Sequence, residues 1–172
     1  MRLVAWHLGK SADTGAGASV IADHTDASFD AINDYFYEHG WTDGLPIVPP
    51  TRARVDAMLA GMPTHDPEEL ISVVPPKNGR ATLRQVAVNA VMAGCKPAYL
   101  RVVVAALRAV SEHDYGLHHR QTTTHAGAPL IIVNGPIINA LKLNGGTGLF
   151  GPGWRANATI GRALRLVLVN IG

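Results

Sequence analysis

Histidines close together in the sequence are the side chains best suited to chemistry in this chain. His118, His119 and His125 fall within a short polar segment that precedes an apolar run. Imidazole groups bind divalent metals and transfer protons near neutral pH, so the three could form a metal site, or His125 could act as a proton carrier. The spacing matches no strong zinc motif such as HExxH. A polar surface loop explains most of these histidines, and His125, next to the apolar run, is the exception.

Two other side chains are candidates for a catalytic role. Cys95 follows one predicted helix and precedes another, beside Lys96, and both a helix N-terminus and a lysine favour a reactive thiolate. The alternative is a buried cysteine that behaves as a small apolar residue. Asp43 lies in a turn with Trp41 and could be a general base or an orienting group. The alternative is that Asp43 only forms an ordinary Asp-Gly turn.

A glycine-rich segment, residues 144–153, predicts a ligand site near the C-terminal end. Glycines allow a close approach of the backbone, and a helix that begins after them directs N–H groups and its dipole at one point. We therefore expect a carboxylate or phosphate there, although the segment is neither GxGxxG nor a P-loop and could be purely structural. The predicted substrate-binding residues are Thr124, Asn134, Asn144, Gly145, Gly146, Gly151, Gly153, Arg155 and Asn157, and we expect them to converge with His125 on one pocket.

The elements that must position these residues are mostly helices. Ser28, Thr51 and Thr82 are suited to cap three helices, and Pro97 is suited to begin a fourth. A short apolar strand, Leu130–Val133, then precedes the glycine-rich segment and a last helix. This order predicts an α/β or α+β fold, a helix-rich single domain with few strands and a strand–Gly-rich loop–helix unit at the C-terminal end.

Composition limits the class of protein. The chain has 172 residues, of which 47% are hydrophobic, and this suits one domain with a real core. We expect residues 1–27 to be a flexible or extended lead-in and residues 28–172 to be a single globular domain. The net charge of +2 is scattered and aromatic residues are few, so nucleic-acid binding has little support. No apolar window has the length of a membrane span or signal peptide, and the one cysteine suits a reducing compartment, so we expect a cytoplasmic protein.

The sequence ends in an apolar stretch. After Arg165 the chain reads LVLVNIG, without a polar tail. An apolar element must be covered by its own domain or by another subunit. We therefore expect an oligomer in which a second protein subunit completes the domain.

Four sequence strings carry a resemblance to a bacterial family: HGWTDGLPIVPPT, ATLRQVAVNAVMAGCKPAYL, QTTTHAGAPLIIVNGPI and GPGWRANATIGRALRLVLVNIG. From about Phe29 to Gly172 the chain resembles bacterial proteins encoded beside, or fused to, the UGSC family. Members of that family carry selenocysteine or cysteine in a U/C-G-S-C motif. This chain has no such motif, so the resemblance implies that a partner supplies the thiol or selenol.

Three functional interpretations follow. In the first, the chain is a subunit of a hetero-oligomeric bacterial enzyme that acts on a small organic, anionic substrate. The resemblance then implies thiol- or selenol-linked redox chemistry with a UGSC-like partner, which favours an oxidoreductase. In the second, the enzyme is a metal-assisted hydratase, lyase or hydrolase that uses His125 with His118 or His119, with a divalent metal as its cofactor. In the third, the chain is a non-catalytic structural subunit.

Overall fold

The computed structural model describes residues 28–172, and the predicted lead-in over residues 1–27 lies outside them. The described part is helix-rich with one small sheet, so the predicted helix-rich α+β class is confirmed. In chain order its elements are α1 Phe29–Glu38, α2 Arg52–Leu59, β1 Leu70–Val74, β2 Gly79–Thr82, α3 Leu83–Ala93, α4 Leu100–Val110, α5 Leu117–Thr122, α6 Ile137–Leu141 and α7 Arg155–Ile171, with short 3-10 turns before α4 and α5.

Helices α1, α2 and α3 begin at the predicted caps. The hydroxyl groups of Ser28 and Thr51 each accept a hydrogen bond from an N–H of the first turn. At α3, Thr82 and Gln85 form a reciprocal capping box. Gly94 ends α3 with a φ of 86°, a conformation that a side chain disfavours. Local chemistry thus determines where these helices start and where α3 stops.

The core is built around α3 and α7, which pack against each other. Every residue from 86 to 93 is buried because α2, α4 and α7 all contact α3. On α7, Ile160, Leu164 and Ile171 face this core. Asn170 of α7 donates a hydrogen bond of 2.7 Å to Asn89 of α3, so the centre of the core also contains a polar link.

Strands β1 and β2 form an antiparallel hairpin. The sequence analysis did not predict either strand. The β-branched run of β1 and the Asn78–Gly79 pair, which is typical of hairpins, were the available signs. Asn78 has a φ of 58°, which fits a turn position.

The predicted strand Leu130–Val133 does not form as a strand. Residues 126–134 are neither helix nor sheet, because no other described segment pairs with them. Ile131 and Val133 pack against the core, whereas Leu130 and Ile132 are 67% and 74% exposed. The C-terminal unit therefore consists of an irregular segment, a glycine-rich loop and a helix.

The apolar chain end does not need another subunit to cover it. Leu166, Val167, Leu168 and Ile171 are all buried within the described part of the chain. The sequence-based reason for expecting an oligomer is therefore wrong at this end, and the exposed apolar side chains lie elsewhere, at Leu130 and Ile132 among others.

None of the described helices combines the length and apolar character that crossing a membrane requires.

Candidate functional site

Two asparagines fasten the glycine-rich loop to α7. The Asn157 side chain accepts a hydrogen bond from the Asn144 N–H at 2.9 Å and donates to the Asn144 and Leu149 carbonyls. The Asn144 side chain in turn bonds to Gly146 and Thr147 inside the loop. Both asparagines were predicted to bind substrate, but the structure uses their amide groups to fix the shape of the loop.

The loop needs glycine at two positions for its backbone conformation. Gly148 and Gly153 have φ values of 73° and 105°, in the region that other residues avoid. Gly145 and Gly146 are exposed, and an added Cβ at Gly145 would meet no other atom. Trp154, the N-cap residue of α7, makes no side-chain cap, so the helix start lacks that acceptor for its first N–H groups.

Arg155 connects two helices. Its guanidinium donates two hydrogen bonds, of 2.9 and 2.7 Å, to the carbonyl of Gly94 at the end of α3. We predicted that this arginine would bind an anionic group. In the structure an anion would have to share Arg155 with that carbonyl.

Cys95 is buried at the junction of α3 and α7. The position at a helix junction agrees with the sequence-based expectation. Of the two alternatives for Cys95, the structure agrees with the buried cysteine and not with the reactive thiolate, because burial raises the pKa of the Cys95 thiol to about 11. The thiol contacts the carbonyl of Thr159 at 3.3 Å. A buried, protonated thiol is a poor nucleophile.

We expect Cys95 to react slowly with Ellman's reagent in the native chain. At pH 8, three pH units below its pKa of about 11, roughly one thiol in a thousand is ionised. The rate should be at least ~100-fold lower than for a cysteine in an unfolded peptide, and it should rise to the peptide rate in guanidinium. Absorbance at fixed times measures both rates. Native labelling at the peptide rate would show that the thiol is accessible.

Asp43 forms a paired, largely buried contact with Arg162 of α7. Its two carboxylate oxygens each lie 2.8 Å from a guanidinium nitrogen, and Arg162 also donates to the carbonyls of Leu45 and Pro46. The hydrogen bond from Arg162 holds the pKa of Asp43 below its usual value. Asp43 therefore attaches its turn to α7, and a carboxylate so engaged is a weak general base.

The predicted metal site of His118, His119 and His125 does not form in the described residues. No group of three or more His, Cys, Asp or Glu side chains there is arranged to hold a metal ion. His118 and His119 are consecutive on α5 and their ring centroids lie 5.8 Å apart, edge to face, but no third His, Cys, Asp or Glu completes a ligand set with them among the described residues. His125 is exposed on a bend, and its backbone N–H donates to the Thr123 hydroxyl at 3.1 Å.

Three of the clefts in the described part of the chain border the irregular segment, two of them along residues 129–133 and the third at Pro129 alone. The loop cleft, of about 450 Å³, lies between this segment, the glycine-rich loop and α7. The helix cleft, of about 620 Å³, lies between the same segment and α4. The histidine cleft, of about 500 Å³, lies beside α5 and is lined by His125 and Arg165 among others.

The predicted convergence on one pocket is not seen in these clefts. Asn144, Gly145 and Asn157 line the loop cleft, Asn134 lines the helix cleft, and His125 lines the histidine cleft. Thr124 lines none of the three. Pro129 borders all of them, so the irregular segment separates the groups that we expected it to bring together.

The sequence analysis missed the apolar lining of the loop cleft. These residues are Ile138, Leu143, Leu149, Phe150 and Ile160. The helical spacing of α7 indicates that Ile160 faces inward, but the other four lie on a short helix and irregular segments without a periodic pattern.

Comparison of the chain with protein-family models, with curated proteins and with solved structures finds no match.

Proposed function

We propose that this chain is the substrate-binding subunit of a hetero-oligomeric enzyme that acts on a small organic, anionic substrate. The reactive thiol or selenol comes from a UGSC-like partner, as the sequence resemblance implies. The state of Cys95 carries the proposal. Cys95 is the one cysteine of the sequence, and its thiol is buried with a pKa raised to about 11, so thiol-linked redox chemistry would need a reactive group from another chain.

Of the three clefts, the loop cleft is the one lined by the glycine-rich loop, and we place the small ligand there. Its volume of about 450 Å³ falls in the range of small-molecule sites, and its lining is apolar apart from a few polar groups. An organic part of the substrate would lie against Leu143 and Ile160. The anionic group would lie toward the loop amides and the start of α7, where the helix dipole is favourable.

A metal-assisted reaction has less support. Among the described residues no ligand set of three is assembled, so His118, His119 or His125 would need further ligands from a partner.

If the chain were a purely structural subunit, its loop cleft would bind no substrate, and this is the difference from our proposal. The experiment must therefore test binding in the cleft as well as the source of the thiol.

Two small alkylating agents provide this test on the assembly purified through a tagged full-length chain. Iodoacetate is anionic and iodoacetamide is neutral, so their rate ratio at the partner thiol or selenol reports an anion site nearby. Gly161→Leu adds a side chain to the loop cleft, where an added Cβ meets no atom within 4 Å. Gly127→Leu makes the same change in the histidine cleft and is the matched control.

We expect the iodoacetate-to-iodoacetamide ratio to fall at least ~5-fold in Gly161→Leu and to stay unchanged in Gly127→Leu. A fall of that size corresponds to about 1 kcal/mol of lost anion preference. Alkylation of Cys95 ahead of any partner residue would refute the proposed source of the thiol. An unchanged ratio in Gly161→Leu would refute the loop cleft as the substrate site.

A further inference from the structure

Positive charge accumulates in the C-terminal part of the chain without acidic residues to balance it. Asp114 is the last acidic residue, and residues 115–172 contain no Asp or Glu. The same residues contain four arginines and one lysine. A cation there can be paired only by an acid from residues 1–114, by another molecule of protein or by a bound anion.

Two of the four arginines are engaged with other parts of the protein. Arg162 forms the ion pair with Asp43, and Arg155 donates to a backbone carbonyl at the end of α3. Arg120 and Arg165 take part in none of the ion pairs between described residues. Both of them line the histidine cleft. Two guanidinium groups without a carboxylate partner therefore share one concave site.

The histidine cleft offers several donors and no carboxylate. His119, His125 and Thr123 line it together with the two arginines, and no Asp or Glu is among its described lining residues. A neutral imidazole donates one hydrogen bond and a protonated one donates two, while a hydroxyl group donates one. Charged and neutral donors around one space, without an acidic side chain to occupy them, favour an anion.

The two arginines lie on helices that a hydrogen bond joins. The Nε of Arg120 donates to the carbonyl of Tyr115 at 2.8 Å, and its guanidinium carbon lies 4.6 Å from the centre of the Tyr115 ring. Among the described residues its terminal N–H groups have no further acceptor, so they are available to a ligand. Gln121 donates to the carbonyl of Leu168 at 3.2 Å and so attaches α5 to α7, which carries Arg165.

The size and the apolar part of the cleft indicate an organic ligand. Its volume of about 500 Å³ falls in the range of small-molecule sites. Leu117 and Leu168, which are both buried, contribute apolar surface to its lining. A phosphate monoester carries nearly two negative charges and three acceptor oxygens at pH 7, so its phosphate group suits two guanidinium groups. Its organic part would lie against the leucines.

We propose that the histidine cleft is a second ligand site, which binds a small organic phosphate monoester. Arg120 and Arg165 bind the phosphate group. His125 and the Thr123 hydroxyl are further donors. The site is separate from the proposed substrate site, because Pro129 is the one residue that lines both the histidine cleft and the loop cleft. This inference does not depend on the proposed function.

Parts of the protein itself are poorer occupants of this cleft. Residues 1–27 contain Arg2, Lys10 and three aspartates, so their side chains are almost balanced in charge. A second copy of the chain carries a net charge of +2, which does not complement a cationic cleft. Occupation by either would exclude the ester from the full-length chain, so a binding experiment on that chain tests both alternatives.

Isothermal titration of the full-length chain at pH 7 and low salt tests the site, with phenyl phosphate as the probe. We expect a Kd below ~1 mM for phenyl phosphate and at least ~10-fold weaker binding of benzoate, which has the same ring but one charge. Phthalate carries two carboxylates on that ring. Binding of phthalate as tight as that of phenyl phosphate would overturn the proposed ligand class, and absence of phenyl phosphate binding would overturn the site.

Two arginine variants locate the binding. Arg165→Met removes one guanidinium from the histidine cleft, and Arg101→Met makes the same change at an exposed position of α4 that lines the helix cleft. We expect Arg165→Met to weaken phenyl phosphate binding at least ~10-fold. Arg101→Met should change it less than ~2-fold, because a distant charge is screened. Both melting temperatures should stay unchanged, and equal affinities of the two variants would overturn the proposal.

Gly127→Leu keeps both arginines and separates this inference from the proposed function. It adds a side chain to the histidine cleft, so we expect at least ~10-fold weaker phenyl phosphate binding. The alkylation ratio at the partner reports on the loop cleft and should not change. Undiminished ester binding in Gly127→Leu overturns this inference and leaves the proposed function standing. A ratio that Gly161→Leu does not alter refutes the proposed function and leaves this site standing.

Discussion

Arg162→Met is expected to lower the free energy of unfolding by about 3 kcal/mol, because it removes one partner of a largely buried ion pair. The side chains of Arg162 and Asp43 are only 20% and 16% exposed. The variant leaves the Asp43 carboxylate without its two guanidinium donors, and the carbonyls of Leu45 and Pro46 lose a donor as well. Methionine fills part of the volume but donates no hydrogen bond.

Urea denaturation of the variant and of Arg165→Met measures this effect. Arg165 lies on the same helix, is exposed, and faces the histidine cleft. Its replacement should change the free energy of unfolding by no more than about 0.5 kcal/mol. If both variants lost the same stability, the loss would come from general changes to α7 and not from the contact with Asp43.

The same ion pair predicts a dependence of stability on pH. Because Arg162 holds the pKa of Asp43 low in the folded chain, the stabilisation is present above the unfolded pKa of about 3.9 and is lost as pH falls through the folded pKa. Asp43→Asn should therefore be less stable than the natural chain at pH 7, and the difference should shrink below about pH 4. Denaturation at pH 7, 5, 4 and 3 measures it, and a constant difference would contradict this role of Asp43.

Gly79→Ala should also be strongly destabilising, by about 2–3 kcal/mol. An added Cβ at Gly79 would lie 1.8 Å from the carbonyl oxygen of Ile171 and 2.8 Å from its carbon. Both are backbone atoms, so the β hairpin would have to move away from the end of α7. The helix end is packed in the core, and it cannot follow without opening that core.

Gly127→Ala is the matched control for this prediction, since a Cβ there meets no atom within 4 Å. Thermal unfolding should show a clear drop in the melting temperature of Gly79→Ala. For Gly127→Ala the free energy of unfolding should change by at most ~0.5 kcal/mol, so its melting temperature should stay close to that of the unchanged chain. A normal melting temperature for Gly79→Ala would show that the hairpin lies farther from α7 than the structure places it.

Local chemistry made part of this fold predictable. Ser28, Thr51 and Thr82 cap helices because a hydroxyl group satisfies an N–H of the first turn, and Gly94 ends α3 because it adopts a positive φ. These interactions span only a few residues, so the sequence contains all the information they need.

The rest depends on contacts that no local pattern reveals. Asp43 and Arg162 are 119 residues apart, and nothing in the turn around Asp43 indicates its partner. The sequence left the state of Cys95 open, because Lys96 and the helix start are visible in sequence, whereas burial against α7 is not. Leu130–Val133 has the composition of a strand, but a strand also needs neighbours, and the described part of this chain supplies none.

The most direct test of the proposed function is native mass spectrometry of the assembly purified through a tagged full-length chain, followed by brief treatment with iodoacetamide. We predict a complex of this 18.2 kDa chain with a second chain that carries the U/C-G-S-C motif, with alkylation on that motif and none on Cys95. A monomer or a complex of identical chains, or alkylation of Cys95 as the first modified residue, would contradict the proposal.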